Sequence, residues 1–460
     1  MIDRQHLKTL LAQELRQFEQ THPRSKALYQ QAKAHLHDGV PMSWMVRWAG
    51  SFPLFVQEAR GSHFTDADGK RYLDLCLGDT AAMTGHAPAP VLQAATHRIE
   101  RGSCMMLPTE DSLWVSQELA RRFGLPYWQF ALTATDANRF AIRLARHITG
   151  RKLILVFNWC YHGTVDETFI TLERGRPKLR DGNIGAGVDP TQTTRVVEFN
   201  DLAALEAALA DHQVACVLTE PALTNIGIVH PQPGFHEALR EITRRTGTLL
   251  IMDETHTIST SPGGYTQAHH LKPDIVTLGK PIGGGIPAAV YGFSAEIAER
   301  IRRRTDQHSA DTSGIGGTLA GNPLSLAAVR ATLEHVLTPQ AYKHTTALAR
   351  RFAEGVSQVI KAEGLPWHVT QLGCRAEYWF IPRPPRNGGE AAAAIDPDLD
   401  RYMHLAALNR GILMTPFHNM ALIAPTTTAQ DIDWHTEVFR QSVAALLHPH
   451  AQRQPAQAAG

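Results

Sequence analysis

Between about residue 110 and residue 300 this chain alternates short apolar runs with helical stretches, and that alternation limits its fold more than any other feature. The runs are "LILVF" (Leu153 to Phe157), "ACVLT" (Ala215 to Thr219), "TLLIMD" (Thr248 to Asp253), "DIVTL" (Asp274 to Leu278) and "AAVYGF" (Ala288 to Phe293). Apolar throughout and only a few residues long, they read as strands buried on both faces, while "GFHEALREITRRTG" has helical spacing. Repeated strand and helix imply an α/β fold with a mostly parallel sheet covered by helices. A chain of 460 residues exceeds one small core. We expect an N-terminal helix and hairpin segment at 1–75, a large domain at 76–325, a smaller C-terminal domain at 326–448, and a disordered tail at 449–460. The N- and C-terminal segments together would form a smaller α+β lobe. "GSHFTDADGKRYLDL" reads as a hairpin turning at Asp68-Gly69. "PRPPRNGGEAAAA" (Pro382 to Ala394) reads as a loop.

Composition narrows the function classes. The formal charge is +1, from 45 Lys+Arg against 44 Asp+Glu, which offers no nucleic-acid surface. The 24 histidines are scattered without ligand spacing, so no metal site is expected. Five cysteines at irregular spacing form no disulfide framework and fit a reducing cytoplasm. The first twenty residues are charged and periodic, an amphipathic helix rather than a signal peptide. No apolar run approaches the ~20 residues of a membrane helix.

The chemistry gathers at strand ends, where sheets of this class bind ligands. "DIVTLGKPIGGGIP" puts Lys280 just past a buried strand, followed by a proline and three glycines. "LLIMDE" ends in Asp253 and Glu254, and "CVLTEP" in Glu220. A lysine and a carboxylate at neighbouring strand ends read either as an ion pair or as two parts of one site. "LTATDANRFAIRLARHITG" enters a helix through Thr133, Ala134 and Thr135. Its first amides suit a phosphate, or Thr133 and Asp136 simply cap the helix. Thr318 stands in the small-residue stretch "GIGGTLAGNP", and Tyr161 follows the strand "LILVF". One ligand accommodates all of these: pyridoxal 5'-phosphate (PLP), with its phosphate, its basic ring nitrogen and an aldehyde that condenses with a lysine. On this reading the glycines beside Lys280 keep side chains out of the space above the ring.

The ordered set "FTDADGKRYLDL…GHAPAPV", "YHG", "TEPALTNIGIV", "IMDE", "LGKPIGGGIP" and "GTLAGNP" resembles the class III, fold-type I, PLP-dependent aminotransferases. The branch it is most similar to contains glutamate-1-semialdehyde aminomutase and the β-amino-acid aminotransferases. The resemblance implies that Lys280 is the Schiff-base lysine and that Asp253 partners the pyridine nitrogen. Tyr161 would stack on the ring, His162 would belong to the cofactor site, and Thr255 would lie under the other ring face. Ala134 and Thr135 would occupy the phosphate loop, and Glu220 and Asn225 the "EPxxxN" element. Thr318 would reach the phosphate from a neighbouring subunit, which makes a homodimer, or a dimer of dimers, with shared sites the expected assembly.

The substrate side departs from that branch. Its carboxylate-binding arginine falls at Ser43 or Trp44, with Arg47 displaced; a second arginine of the β-amino-acid enzymes falls near Phe417, and the aminomutase's acidic residue near Met420. Trp44, Met45, Trp48, Trp159 and Phe417 could line an aromatic pocket instead, with Arg47 left to meet an oxo acid. The resulting expectation is a cytoplasmic aminotransferase that moves an amino group from an apolar or aromatic primary amine to pyruvate or 2-oxoglutarate, with no nucleic-acid or membrane partner. The alternatives are an aminomutase related to glutamate-1-semialdehyde aminomutase, or a β-amino-acid aminotransferase.

Overall fold

The structure, a computed structural model, describes residues 2–304 and 314–448. The expected tail at 449–460 lies outside them. The chain divides into two compact units: Thr80–His344 with Pro385–Ala393, and Met1–Asp79 with Thr345–Pro384 and Ala394–Gly460.

The larger unit is built on a seven-stranded sheet. Its strands in chain order are β1 Tyr127–Ala131, β2 Leu153–Phe157, β3 Thr194–Val197, β4 Val214–Thr219, β5 Leu249–Asp253, β6 Ile275–Leu278 and β7 Ala289–Phe293. Across the sheet they run β1-β7-β6-β5-β4-β2-β3. β7 is antiparallel to both its neighbours, β1 and β6, and the other adjacent pairs are parallel. Every residue of β4, β5, β6 and β7 is buried, which is why these strands are apolar without alternation. Met252 pairs with Thr219 and Asp253 with Thr277, so β4, β5 and β6 end level with one another. The residues that follow each strand, Glu220, Glu254 and the pair Gly279-Lys280, therefore leave the sheet along one edge.

The boundary expected at 325/326 falls inside the helix Pro323–His335. The larger unit continues to His344 because the helix Pro323–His335 packs on the helices Ala89–Glu100 and Glu110–Phe123. Buried Arg122 also donates to the carbonyls of Leu333 (2.6 Å) and Leu337 (3.0 Å), satisfying acceptors at that helix's end. The segment read as a loop at 382–394 contains a helix, Gly388–Ala393, and its part Pro385–Ala393 belongs with the larger unit. Its backbone presses so closely on Asn158 that a Cβ at Gly388 would lie 2.1 Å from the Asn158 carbonyl oxygen.

The smaller unit is α+β. The helix Arg4–Thr21 precedes a hairpin, His63–Asp66 against Arg71–Asp74, that turns at Asp68-Gly69 as its sequence implies. A three-stranded antiparallel sheet joins His368–Leu372, Arg375–Trp379 and Met420–Leu422. Leu7, Phe352, Tyr378, Tyr402 and Phe439 share its core. Among the described residues no helix is long and apolar enough to cross a membrane.

Candidate active site

Asp253, the last residue of β5, is 3 % exposed. His162 Nδ1 lies 2.9 Å from its Oδ2, Asn138 Nδ2 donates to the same oxygen at 2.8 Å, and the Thr255 amide donates to Oδ1 at 3.0 Å. Asn138 is itself held by the Thr277 hydroxyl on β6 (2.6 Å) and donates to the His162 carbonyl (3.1 Å). Burial opposes charge on Asp253, but His162, Thr255 and Asn138 outweigh it and hold the carboxyl below its usual range. Burial likewise opposes an imidazolium at His162; Cys160 and Asp253 overcome that and raise its pKa. Asp253 thus remains a carboxylate inside an apolar sheet, able to hold a proton on a neighbouring basic nitrogen.

The helix Ala134–Thr149 follows β1. The Asp136 amide is taken by the Thr133 hydroxyl (3.1 Å) and the Ala137 amide by the Thr133 carbonyl (3.1 Å). Thr133 is therefore a cap, with its own hydroxyl donating to Asp136 (2.9 Å), while the amides of Ala134 and Thr135 lie outside the helix ladder at its positive end. Two glycines bring other elements against this helix start. A Cβ at Gly279 would lie 2.9 Å from Ala134 Cβ and 3.1 Å from its amide nitrogen. At Gly163, with φ +78°, a Cβ would lie 2.1 Å from Thr135 Oγ1. The close approach places the segment of Lys280 beside these amides.

This revises the reading of the glycines after Lys280. A Cβ at Gly284 would lie 2.7 Å from Val91 and from Thr332 Oγ1, so that glycine serves the packing of two helices. Lys280 carries the strain itself, with a φ of +49° that a non-glycine residue rarely adopts. Its Nζ lies 2.8 Å from His256 Nε2, a neighbour that its sequence context did not signal.

Glu220 accepts from the Thr224 hydroxyl (2.5 Å) and amide (2.9 Å) and from the Tyr161 amide (3.3 Å), and burial raises its pKa. Asn225 is half-buried, and Thr318 is exposed on a turn. The Tyr161 ring meets Phe169 edge-on, with centroids 5.7 Å apart. Next to it the Arg180 guanidinium lies 4.9 Å from the Trp159 ring centroid and donates to the Cys160 carbonyl (2.7 Å). Burial lowers the Arg180 pKa, opposed by Cys160, Tyr161 and Glu220. Arg180 and Asn138 were not singled out from the sequence. Both sit in polar contexts that periodicity treats as surface.

The remaining expected substrate residues fall in the smaller unit. Trp44 meets Phe417 at 6.0 Å and Trp48 at 6.5 Å between ring centroids. Trp44, Met45 and Trp48 line a cavity of about 330 Å³ with Phe52 and Phe55, whereas Trp159 belongs to the larger unit. Arg47 is exposed at the end of the turn Ser43–Val46. Met420 is fully buried and faces Arg375 Nη1 (3.4 Å). Its cross-strand partner is buried Glu377, whose carboxylate lies 3.2 Å from His418 Nδ1.

The residues of the larger unit fit PLP. The carboxylate that would face the ring nitrogen is kept ionised, the strand-end lysine carries an amine for the aldehyde, and the glycine contacts bring both near an amide-lined helix start. Fold and site together define a fold-type I PLP-dependent enzyme. The chain belongs to the family Aminotransferase class-III, which its residues 44–443 match. A glutamate-1-semialdehyde 2,1-aminomutase of Thermomicrobium roseum is 33% identical over 406 residues, 87% of this chain and 93% of that protein. The crystal structure of a glutamate-1-semialdehyde-aminomutase from Pseudomonas aeruginosa PAO1 is similar at a TM-score of 0.95 with 51% identity, covering 97% of this chain and 100% of that one. An omega-transaminase from Sphaerobacter thermophilus superposes at a TM-score of 0.83 with 26% identity, covering 92% and 98%.

Proposed function

We propose that this PLP enzyme relocates an amino group within one carboxylate-bearing carbon skeleton, as an aminomutase does. The observation that carries this reading is the contrast in likeness: 51% identity to the glutamate-1-semialdehyde-aminomutase structure against 26% to the omega-transaminase. It favours the aminomutase alternative over the apolar-amine aminotransferase expected first. That expectation rested on missing arginines, and Arg180 offers a cation elsewhere, stacked on Trp159 beside Tyr161. An arginine on an aromatic face keeps its planar fork for a carboxylate.

When bound, PLP supplies an electron sink for the carbon that bears the nitrogen. Lys280 would hold the cofactor through its aldehyde, and its amine would take up and return the proton of the substrate carbon that bears the nitrogen. Asp253 holds the ring-nitrogen proton, clamped by His162 and Asn138. The amides of Ala134 and Thr135 hold the phosphate, with Thr318 of a second copy reaching the same group. Tyr161 stacks on the ring; Thr255, Glu220 and Asn225 line it. The assembly is a homodimer, and the five cysteines, all unpaired as thiols, fit a cytoplasmic setting.

The test is turnover of glutamate-1-semialdehyde with no oxo acid present. Many turnovers per site support the aminomutase reading. A stop after about one turnover, relieved by pyruvate or 2-oxoglutarate, supports a transaminase. That second reading has its own observation, the aromatic group of Trp44, Trp48 and Phe417, and a panel of apolar amines against β-amino acids decides which donor such an enzyme takes.

A further inference from the structure

His256 has no part in the cofactor roles given above, yet it lies against Lys280. Its Nε2 lies 2.8 Å from Lys280 Nζ, and its Nδ1 lies 3.2 Å from Thr80 Oγ1. The ring is only 5 % exposed. A lysine ammonium can only donate, so Nε2 facing it is the lone-pair nitrogen. Nδ1 then bears the hydrogen and donates to Thr80.

Both neighbours of the ring are built in at a cost. Thr80 has a φ of +85°, in a run of left-handed residues with Leu77, Gly78 and Asp79. A β-branched residue there is strained, and such strain persists where the surroundings fix it. On the other side Glu254 secures the loop that follows His256. Its carboxylate accepts from the Thr257 hydroxyl (2.5 Å) and from the amides of Tyr265 (3.0 Å) and Thr266 (2.5 Å). A Cβ at Gly264 would lie 2.4 Å from Glu254 Oε2, so glycine is needed for that contact.

We propose that His256 is a positioning and proton-holding residue for Lys280 whenever the lysine is not bonded to the cofactor; this rests on the reading that Lys280 carries PLP. One N–H bond of the ammonium breaks, its electron pair stays on Nζ, and the proton bonds to Nε2. The imidazole becomes an imidazolium that still donates to Thr80, and Lys280 is left as a neutral amine able to act as base or nucleophile. Thr80 sets the tautomer that makes this possible.

The experiment uses the full-length enzyme. Borohydride reduction of the PLP form first locates the cofactor. Attachment to Lys280 is expected, and attachment to another lysine overturns both readings. The pyridoxamine phosphate form is then trace-acetylated at pH 7.5, and the Lys280 peptide is quantified by mass spectrometry against exposed Lys343. His256→Gln and His256→Ala should each slow Lys280 acetylation about tenfold, and should lower kcat more than they raise KM. Thr80→Val keeps His256 in place and should slow acetylation in the same direction. It decides the matter if the His256 variants do not fold. Lys280 found as the cofactor lysine but acetylated at wild-type rate in every folded variant overturns the role of His256 alone.

Discussion

At the residue scale the site turns on a carboxylate kept charged where burial disfavours charge. Asp253→Asn removes that charge while nearly preserving shape. The protein should still retain PLP, and turnover should fall on the order of 10²-fold or more, as when one charge-stabilising group is removed; near-wild-type turnover would exclude the role. The substrate cation gives a second prediction. Arg180→Gln should raise KM for a carboxylate substrate about tenfold or more, the loss of one charge-assisted hydrogen bond, with PLP content unchanged. Arg47→Ala is the companion measurement, and a larger KM effect there would return the carboxylate to the residue first expected to bind it. The strand-end positions of Lys280 and Asp253 were legible because each is a polar step at the end of an apolar run. His256 and Asn138 were not, since their partners lie far away in sequence: Thr80 and Lys280 for one, Asp253 and Thr277 for the other. Thr133 was half legible, because a phosphate-loop hydroxyl and a helix cap have the same local sequence.

At the scale of elements, the long helix Ala429–Leu447 carries a buried histidine that packing alone explains. His435 is 2 % exposed, its ring centroid lies 4.4 Å from that of Phe352, and its Nδ1 has no hydrogen-bond partner. Burial pushes its pKa down to about 3. In the unfolded chain it titrates near 6.5. Between those values the unfolded chain binds a proton that the native chain does not, so this group's contribution to stability is full at pH 7 and is lost as pH falls. By pH 4.5 the loss amounts to about 3 kcal/mol. His435→Leu removes the term, so urea unfolding at pH 7 and pH 4.5 should show the variant gaining on wild type by about that amount; parallel curves would mean that His435 is protonated in the native state. The same scale shows where sequence reading of the fold stops. β4, β5 and β6 were legible as unbroken apolar runs. β1, "YWQFA", mixes exposed and buried positions at the sheet edge. β3, "TRVV", is too short to show a period. The helix Gly388–Ala393 hid behind prolines and glycines, because what orders it is a contact with Asn158 distant in sequence.

At the scale of the whole molecule, the larger unit exposes more apolar surface than a lone subunit has reason to keep. On and after the helix Ala89–Glu100, Leu92, Ile99, Met106, Leu107 and Leu113 are each at least 54 % exposed, and Leu319 beside Thr318 is 50 % exposed. A cluster in sequence of exposed large apolar side chains is what a surface covered by another molecule carries, and an identical copy would cover it symmetrically. Thr318 stands exposed beside Leu319, so a twofold assembly that covers Leu319 would carry Thr318 toward the other copy's Ala134 and Thr135 amides. Leu92→Glu with Ile99→Glu should therefore yield monomers in light scattering and weaken PLP retention. Mixed assemblies test the sharing itself. Thr318→Ala chains keep Lys280, and Lys280→Ala chains keep Thr318. Each parent assembly should be poorly active. Equal mixing and re-annealing make about half the dimers hybrid, each with one intact site of two, so about a quarter of wild-type activity should return. Recovery at that level requires Thr318 of one copy to complete the site around Lys280 of the other. No recovery beyond the sum of the parents, or full activity in a monomer, means that each copy builds its site alone.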